Sequence, residues 1–261
     1  MREEIGKVSI KDIRATYSKE KMVSERRNKE WLYYAGRQPS FYLTWLFLWL
    51  NISANQATYI GLVVGLISCI FLGWGSYIFK LVGILIATLY LVLDCVDGNI
   101  ARYRGVTNKY GEFIDGLNSY FINAFFFISI GIGAFNNPEL VSSMSLIKRG
   151  IPINKYWFLI LGLWTAFSYV FARLVSQRYE EIFGRETTTV TPVISKNLDK
   201  NYPFISFIIS NLFGIGGFFI PLVLLSIIFK LLGLLVFVYA MVNTVVFGVN
   251  TIKLLLKANK A

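Results

Sequence analysis

From residue 51 onward the chain alternates long apolar runs with short polar ones, whereas residues 1–38 are polar and rich in Lys, Arg and Glu. A helix needs about 20 predominantly apolar residues to cross a hydrocarbon core of roughly 30 Å. Runs of that length lie near 55–77, 79–103, 111–136, 155–178, 203–228 and 231–254. They predict an all-α, polytopic membrane fold of six transmembrane helices. The stretch 41–50, FYLTWLFLWL, is apolar and aromatic but half the required length. With Trp31, Tyr33, Tyr34, Trp45 and Trp49 nearby it reads as an amphipathic interfacial segment, its rings at headgroup depth. The organisation expected is an N-terminal arm over 1–52 and a six-helix membrane domain over 53–261.

Charge orients this pattern. The polar N terminus has no apolar core of signal-peptide length, so it is expected to stay cytoplasmic. Threading six spans from there leaves only Lys80, Lys148, Arg149, Lys155 and Lys230, of 26 Lys and Arg, on the far side. That asymmetry agrees with positive-inside orientation and puts both termini in the cytoplasm of a multi-pass cell-membrane protein. The loop over 179–202, with Glu180, Glu181, Arg185, Glu186, Pro192 and Asp199, then faces the cytoplasm as a lid or a linker. It also discounts the glycosylation sequon at Asn51. Gly214, Gly216 and Gly217, inside an apolar run, read as close-packing positions.

Composition narrows the chemistry. Hydrophobic residues make up 55% and charged residues 16% of 261 positions, a balance unsuited to a water-facing surface. Net charge +11 then points to loops against an anionic leaflet rather than to nucleic acid. With no histidine, imidazole catalysis and His-ligated metals are excluded. Cys69 and Cys95 sit in separate apolar runs and read as packing residues.

Few carboxylates fall in or beside the apolar runs: Asp94, Asp97, Glu112 and Asp115. Intramembrane carboxylates are costly and therefore functional candidates. The second run, LYLVLDCVDGNIAR, sets Asp94, Asp97 and Ala101 on one helical face, with Gly98 and Arg102 on the adjoining one. Asp94 precedes Arg102 by about 12 Å of helical rise, just inside the membrane boundary. In the third run Gly111, Asp115 and Ser119 form a second stripe, with Glu112 read as off it. Three convergent carboxylates without thiol or imidazole suit a hard divalent cation that takes substrate phosphates as further ligands. Other uses remain for these residues: helix packing for Gly98, Ala101 and Gly111, interfacial anchoring for Arg102, and ion pairing of the aspartates with Arg102 or Arg104.

The pattern Asp94-x2-Asp97-Gly98-x2-Ala101-Arg102-x8-Gly111-x3-Asp115 resembles the signature of the CDP-alcohol phosphotransferase family. The pair Asn55-x2-Thr58 is similar to that family's opening of the first span, with Ala54 where Pro is usual. The resemblance spans residues 55–120 by motif and the rest by topology. It implies transfer of a substituted phosphate, such as phosphatidyl, from a CDP-alcohol like CDP-diacylglycerol to an acceptor alcohol, releasing CMP. It further implies two Mg²⁺ or Mn²⁺ ions on Asp94, Asp97 and Asp115, and a nucleotide pocket from Asn55, Thr58, Gly98, Ala101, Arg102, Asn108 and Gly111. A homodimer working on membrane lipid is implied too. Arg173, Arg178 and Lys196 are candidates for an acceptor phosphate, although positive-inside anchoring explains them as well.

The chain departs from the family at one catalytic position. The fourth aspartate, a metal ligand and proposed general base, is here Ser119, four residues after Asp115. A serine hydroxyl is no base at neutral pH without activation. An impaired member that still binds CDP-alcohol, a member using another base, and a repurposed protein all stay open. An ion-coupled transporter ranks below them, because the last three runs carry no acidic partner for an inverted repeat.

Overall fold

The computed structural model describes residues 8–28, 31–106, 109–137, 154–184 and 215–259, which are helical with short connections and, among the described residues, without strands. The N-terminal arm holds α1 (Ile10–Ala15) and α2 (Lys19–Asn28). A π-helical turn, Leu32–Arg37, runs into α3 (Gln38–Trp49). Next come α4 (Ala54–Gly73), α5 (Tyr77–Arg104), α6 (Lys109–Phe135), α7 (Tyr156–Phe183), α8 (Ile220–Ile228) and α9 (Leu232–Ala258).

Local chemistry sets the starts. Ser9 and Asp12 form a capping box at α1, and Ser53 and Gln56 form another at α4. Each satisfies backbone donors that a helix start leaves orphaned. The core joins Phe126 and Phe127 of α6 to Tyr169 of α7, Phe219 before α8 and Tyr239 of α9. Ring centroids of Phe127 and Phe219 stand 5.4 Å apart, edge to face. At the α6–α7 crossing a β-carbon on Gly131 would come within 2.7 Å of the Phe158 carbonyl oxygen. Glycine there lets two backbones touch, the usual device where lipid offers no hydrophobic drive to association. Outward positions such as Val63, Leu85, Leu163 and Val245 remain exposed and apolar, as lipid-facing residues must.

Five helices, α4, α5, α6, α7 and α9, are long and apolar enough to cross a membrane. The sixth expected span, 203–228, is described only from 215, and its apolar part Gly216–Ile228 falls short of a span. Gly217 leaves helical geometry there (φ −94°, ψ −145°), which an apolar run does not reveal. The segment expected at 41–50 is part of α3, whose Phe41, Thr44, Phe47 and Leu48 are buried while Tyr42, Trp45 and Trp49 are exposed. Phe41, Phe47 and Leu48 join Ile13 and Tyr17 of the arm and Val92, Val96 and Ile100 of α5 in a second core. The arm is thereby packed onto the same helix that carries the aspartates.

Candidate active site

Where α4 begins, α5 ends and α6 begins, the chain encloses a cavity of about 610 Å³. The Ser53 cap places Asn55 and Thr58 in the first turns of α4. Gly105, at φ +64°, closes α5 in the left-handed region that favours glycine. The wall takes Asn55 and Thr58 from α4, Asp97, Gly98, Ala101 and Arg102 from α5, and Gly111 and Asp115 from α6. Ser53, Arg104, Lys109 and Glu112 complete its polar lining.

Asp97 is 6% exposed. One of its oxygens accepts the Thr58 hydroxyl at 2.7 Å and the other the Gly98 N–H at 2.6 Å. Each carboxylate oxygen can take a further partner. The charges of Asp94 and Asp115 both reach Asp97, a mutual repulsion that a cation would relieve. Asp94 is half-buried and off the wall, and Asp115 is exposed to the cavity. An all-carboxylate donor set with neither thiol nor imidazole on the wall fits a hard divalent ion. Among the described residues no three such groups stand together as a ready metal cage.

The other sequence candidates sort differently. Gly98 makes room for a neighbour on its own helix: a β-carbon there would meet Arg102 Nη1 at 3.1 Å. Ser119 lies off the wall, and its carbonyl accepts the Asn123 amide at 2.6 Å. Arg173 stacks its guanidinium carbon 5.2 Å from the ring of Tyr120, the residue after Ser119, and 5.0 Å from that of Tyr169. Arg178 pairs with Glu181 at 2.8 Å on an exposed surface. Asn108 and Lys196 lie outside the described residues. Glu112, read from the sequence as off the stripe, is on the wall, because three residues' separation keeps it on the Asp115 face.

The sequence reading missed the groups behind Arg102. Arg37 donates to Glu25 through Nε and Nη2, both at 3.0 Å, and to Asn99 Oδ1 at 3.3 Å. Tyr17 donates its hydroxyl to Glu25 at 2.6 Å. Burial, then the bond to Glu25, pushes the Tyr17 phenol upward. Burial also acts to raise Glu25, yet the bonds from Arg37 and Tyr17 hold its carboxyl below the ordinary glutamate range.

The model of the family described as CDP-alcohol phosphatidyltransferase matches residues 51–249, from the turn before α4 into the last turns of α9. The chain belongs to that family. Its members transfer phospho-alcohol groups from a CDP-alcohol and generally depend on a divalent metal. No curated protein matches the chain in sequence. Every wall residue lies inside the CDP-alcohol phosphatidyltransferase match, whereas Tyr17, Glu25 and Arg37 lie before it.

Proposed function

We propose that this chain transfers a phosphatidyl or similar substituted phosphate from a CDP-alcohol to an acceptor hydroxyl at the 610 Å³ cavity. The observation that carries the reading is the wall itself. It gathers two aspartates, Arg102, Arg104 and Lys109 beside small residues from three helices, suited to a diphosphate brought with a cation. The acceptor oxygen attacks the phosphorus bearing the donor's alcohol, that phosphorus loses its bond to CMP, and CMP leaves with the bonding electrons. Asp94, Asp97 and Asp115 would hold a divalent cation, which would supply charge stabilisation for the diphosphate and the leaving group. Thr58 and the Gly98 N–H hold Asp97 oriented. Arg102, Arg104 and Lys109 meet phosphate oxygens, Gly98 makes room for the Arg102 guanidinium, and Ala101 and Gly111 keep side-chain bulk off the nucleotide.

The acceptor's proton needs a base. Ser119 stands where the family resemblance places an aspartate, and Glu112 is the wall carboxylate outside the metal trio, so Glu112 takes that role. Arg173, near Tyr120, receives an acceptor phosphate where the acceptor has one. Positive-inside charge supports a site at the cytoplasmic face with both termini inside, and the family resemblance supports a pair of chains as the working unit. Donor tails sit among the membrane helices.

The test is CMP release from CDP-diacylglycerol by purified protein with Mg²⁺ or Mn²⁺ across a panel of alcohols. Acceptor-dependent release names the acceptor. Tight CDP binding without release would favour the impaired member, a reading supported by Ser119 itself, and release restored by Ser119→Asp would establish it.

A further inference from the structure

Arg102 is the wall cation whose placement depends most on residues outside the bundle. Its Nη2 donates to Asn99 Oδ1 at 2.8 Å, and its buried Nε has no hydrogen-bond partner among the described residues. Nor does it form an ion pair among them. Its guanidinium carbon lies 4.8 Å from the ring centroid of Tyr17, and that of Arg37 lies 4.5 Å from the same ring. Two like charges therefore share one aromatic ring and one amide oxygen. Such an arrangement survives only if one charge is compensated elsewhere, and Glu25 compensates Arg37. Asn99 is fixed in turn, because its Nδ2 donates to Ser40 at 2.9 Å and Thr44 at 3.1 Å, leaving Oδ1 to the two arginines. Glu25 binds Tyr17 and Arg37 at once, so ring and amide hold Arg102 while no carboxylate among the described residues forms an ion pair with it.

We propose that Tyr17 is a positioning residue for Arg102, so that the N-terminal arm, outside the family match, completes the donor pocket. This rests on the CDP-alcohol reading above. An arginine already ordered loses little rotamer freedom when it meets a phosphate, whereas one released from its ring and amide must be ordered by the ligand. The arm thereby acts on donor affinity while touching no reacting atom, and lifting it from the bundle weakens donor binding first.

The experiment compares CDP binding with Mg²⁺, by calorimetry in detergent, for the unchanged chain, Tyr17→Leu, Tyr17→Phe and Glu25→Gln. Labelling of Arg102 by phenylglyoxal, located by mass spectrometry, runs in parallel. Tyr17→Leu should weaken CDP binding about tenfold, the worth of one partly desolvated cation–π contact, and speed Arg102 labelling severalfold, with the acceptor KM unmoved. Tyr17→Phe, which keeps the ring, should retain most of the affinity, and Glu25→Gln should fall between. CDP affinity unchanged in Tyr17→Leu, or Arg102 labelled no faster, overturns the proposal. If Tyr17→Leu does not fold, Glu25→Gln carries the same comparison. An unchanged chain that binds no CDP overturns the donor reading instead, and the labelling rates alone then decide whether Tyr17 holds Arg102.

Discussion

The two ends of α5 each bury a charge, and the fold treats them oppositely. Near its start Lys80 is fully buried and donates to the Gly133 carbonyl at 2.7 Å, in the last turn of α6. Helix C-termini carry orphan carbonyls and partial negative charge, so a lysine there caps α6 as a structural cation. Beside it the Asn136 amide caps α4 through the Gly73 carbonyl at 2.8 Å. Near the other end Asp97 is almost as buried, but it lines a cavity and repels two further carboxylates. Burial of charge is common to both, and the difference lies in what faces the charge. At Lys80 it is helix ends and packed side chains; at Asp97 it is open space shaped for something else.

Asp97→Asn tests the difference most severely. CMP release should fall by about 10³-fold or more, since charge stabilisation of the leaving group is the largest contribution, while the thermal midpoint holds. An active Asp97→Asn enzyme would remove the functional half of the contrast. Lys80→Ala should do the reverse, costing about 3 kcal/mol of stability through a lost buried stem and an orphaned carbonyl. Denaturation in detergent measures it, and the donor KM of the folded fraction should not change. A shifted donor KM would show that the lysine end also serves the site.

Glu112→Gln comes next. As the base, Glu112 should lower kcat about 10²-fold when neutralised, with CDP affinity retained. Unchanged kcat would return the question to Ser119 and the impaired reading.

Much of this was legible along the chain because helix length and period are local properties. The apolar runs marked α4, α5, α6, α7 and α9, and the helical spacing put Asp97 and Ala101 on one wall, whereas Asp94, expected on the same face, lies off it. The short turn between α5 and α6 made it foreseeable that Asp97 and Asp115 would line one cavity. Glu112, off the stripe of Gly111, Asp115 and Ser119, still reaches the wall because it stands three residues from Asp115. Gly217 carried no signal, because a glycine in an apolar run looks alike whether it packs or breaks the helix. Nor did the contact of Tyr17 with Arg102, which joins residues far apart in sequence through a fold no local pattern encodes. Gly98 was recognised as space, but only the structure shows Arg102 filling it.

The smallest effect expected is acid release of the arm, and it separates the two ends by titration. Glu25 is held below the ordinary glutamate range, so the folded arm binds fewer protons there than the released arm does. Its contribution is complete above the ordinary carboxyl value of about 4.3 and is lost as pH falls through the lower folded value. Protonating Glu25 removes one charge of a pair whose side chains are only 12% and 8% exposed and leaves the Arg37 charge buried without its partner, enough to change arm docking several-fold without unfolding the bundle. Hydrogen exchange, corrected for its intrinsic pH dependence, should show residues 8–28 losing protection below about pH 4 while residues around Lys80 keep theirs. Glu25→Gln should show the weakened arm at neutral pH and no acid step. Equal loss at both ends in acid would mean that the bundle opens as one unit, and the carboxylate end would then have no separately movable part.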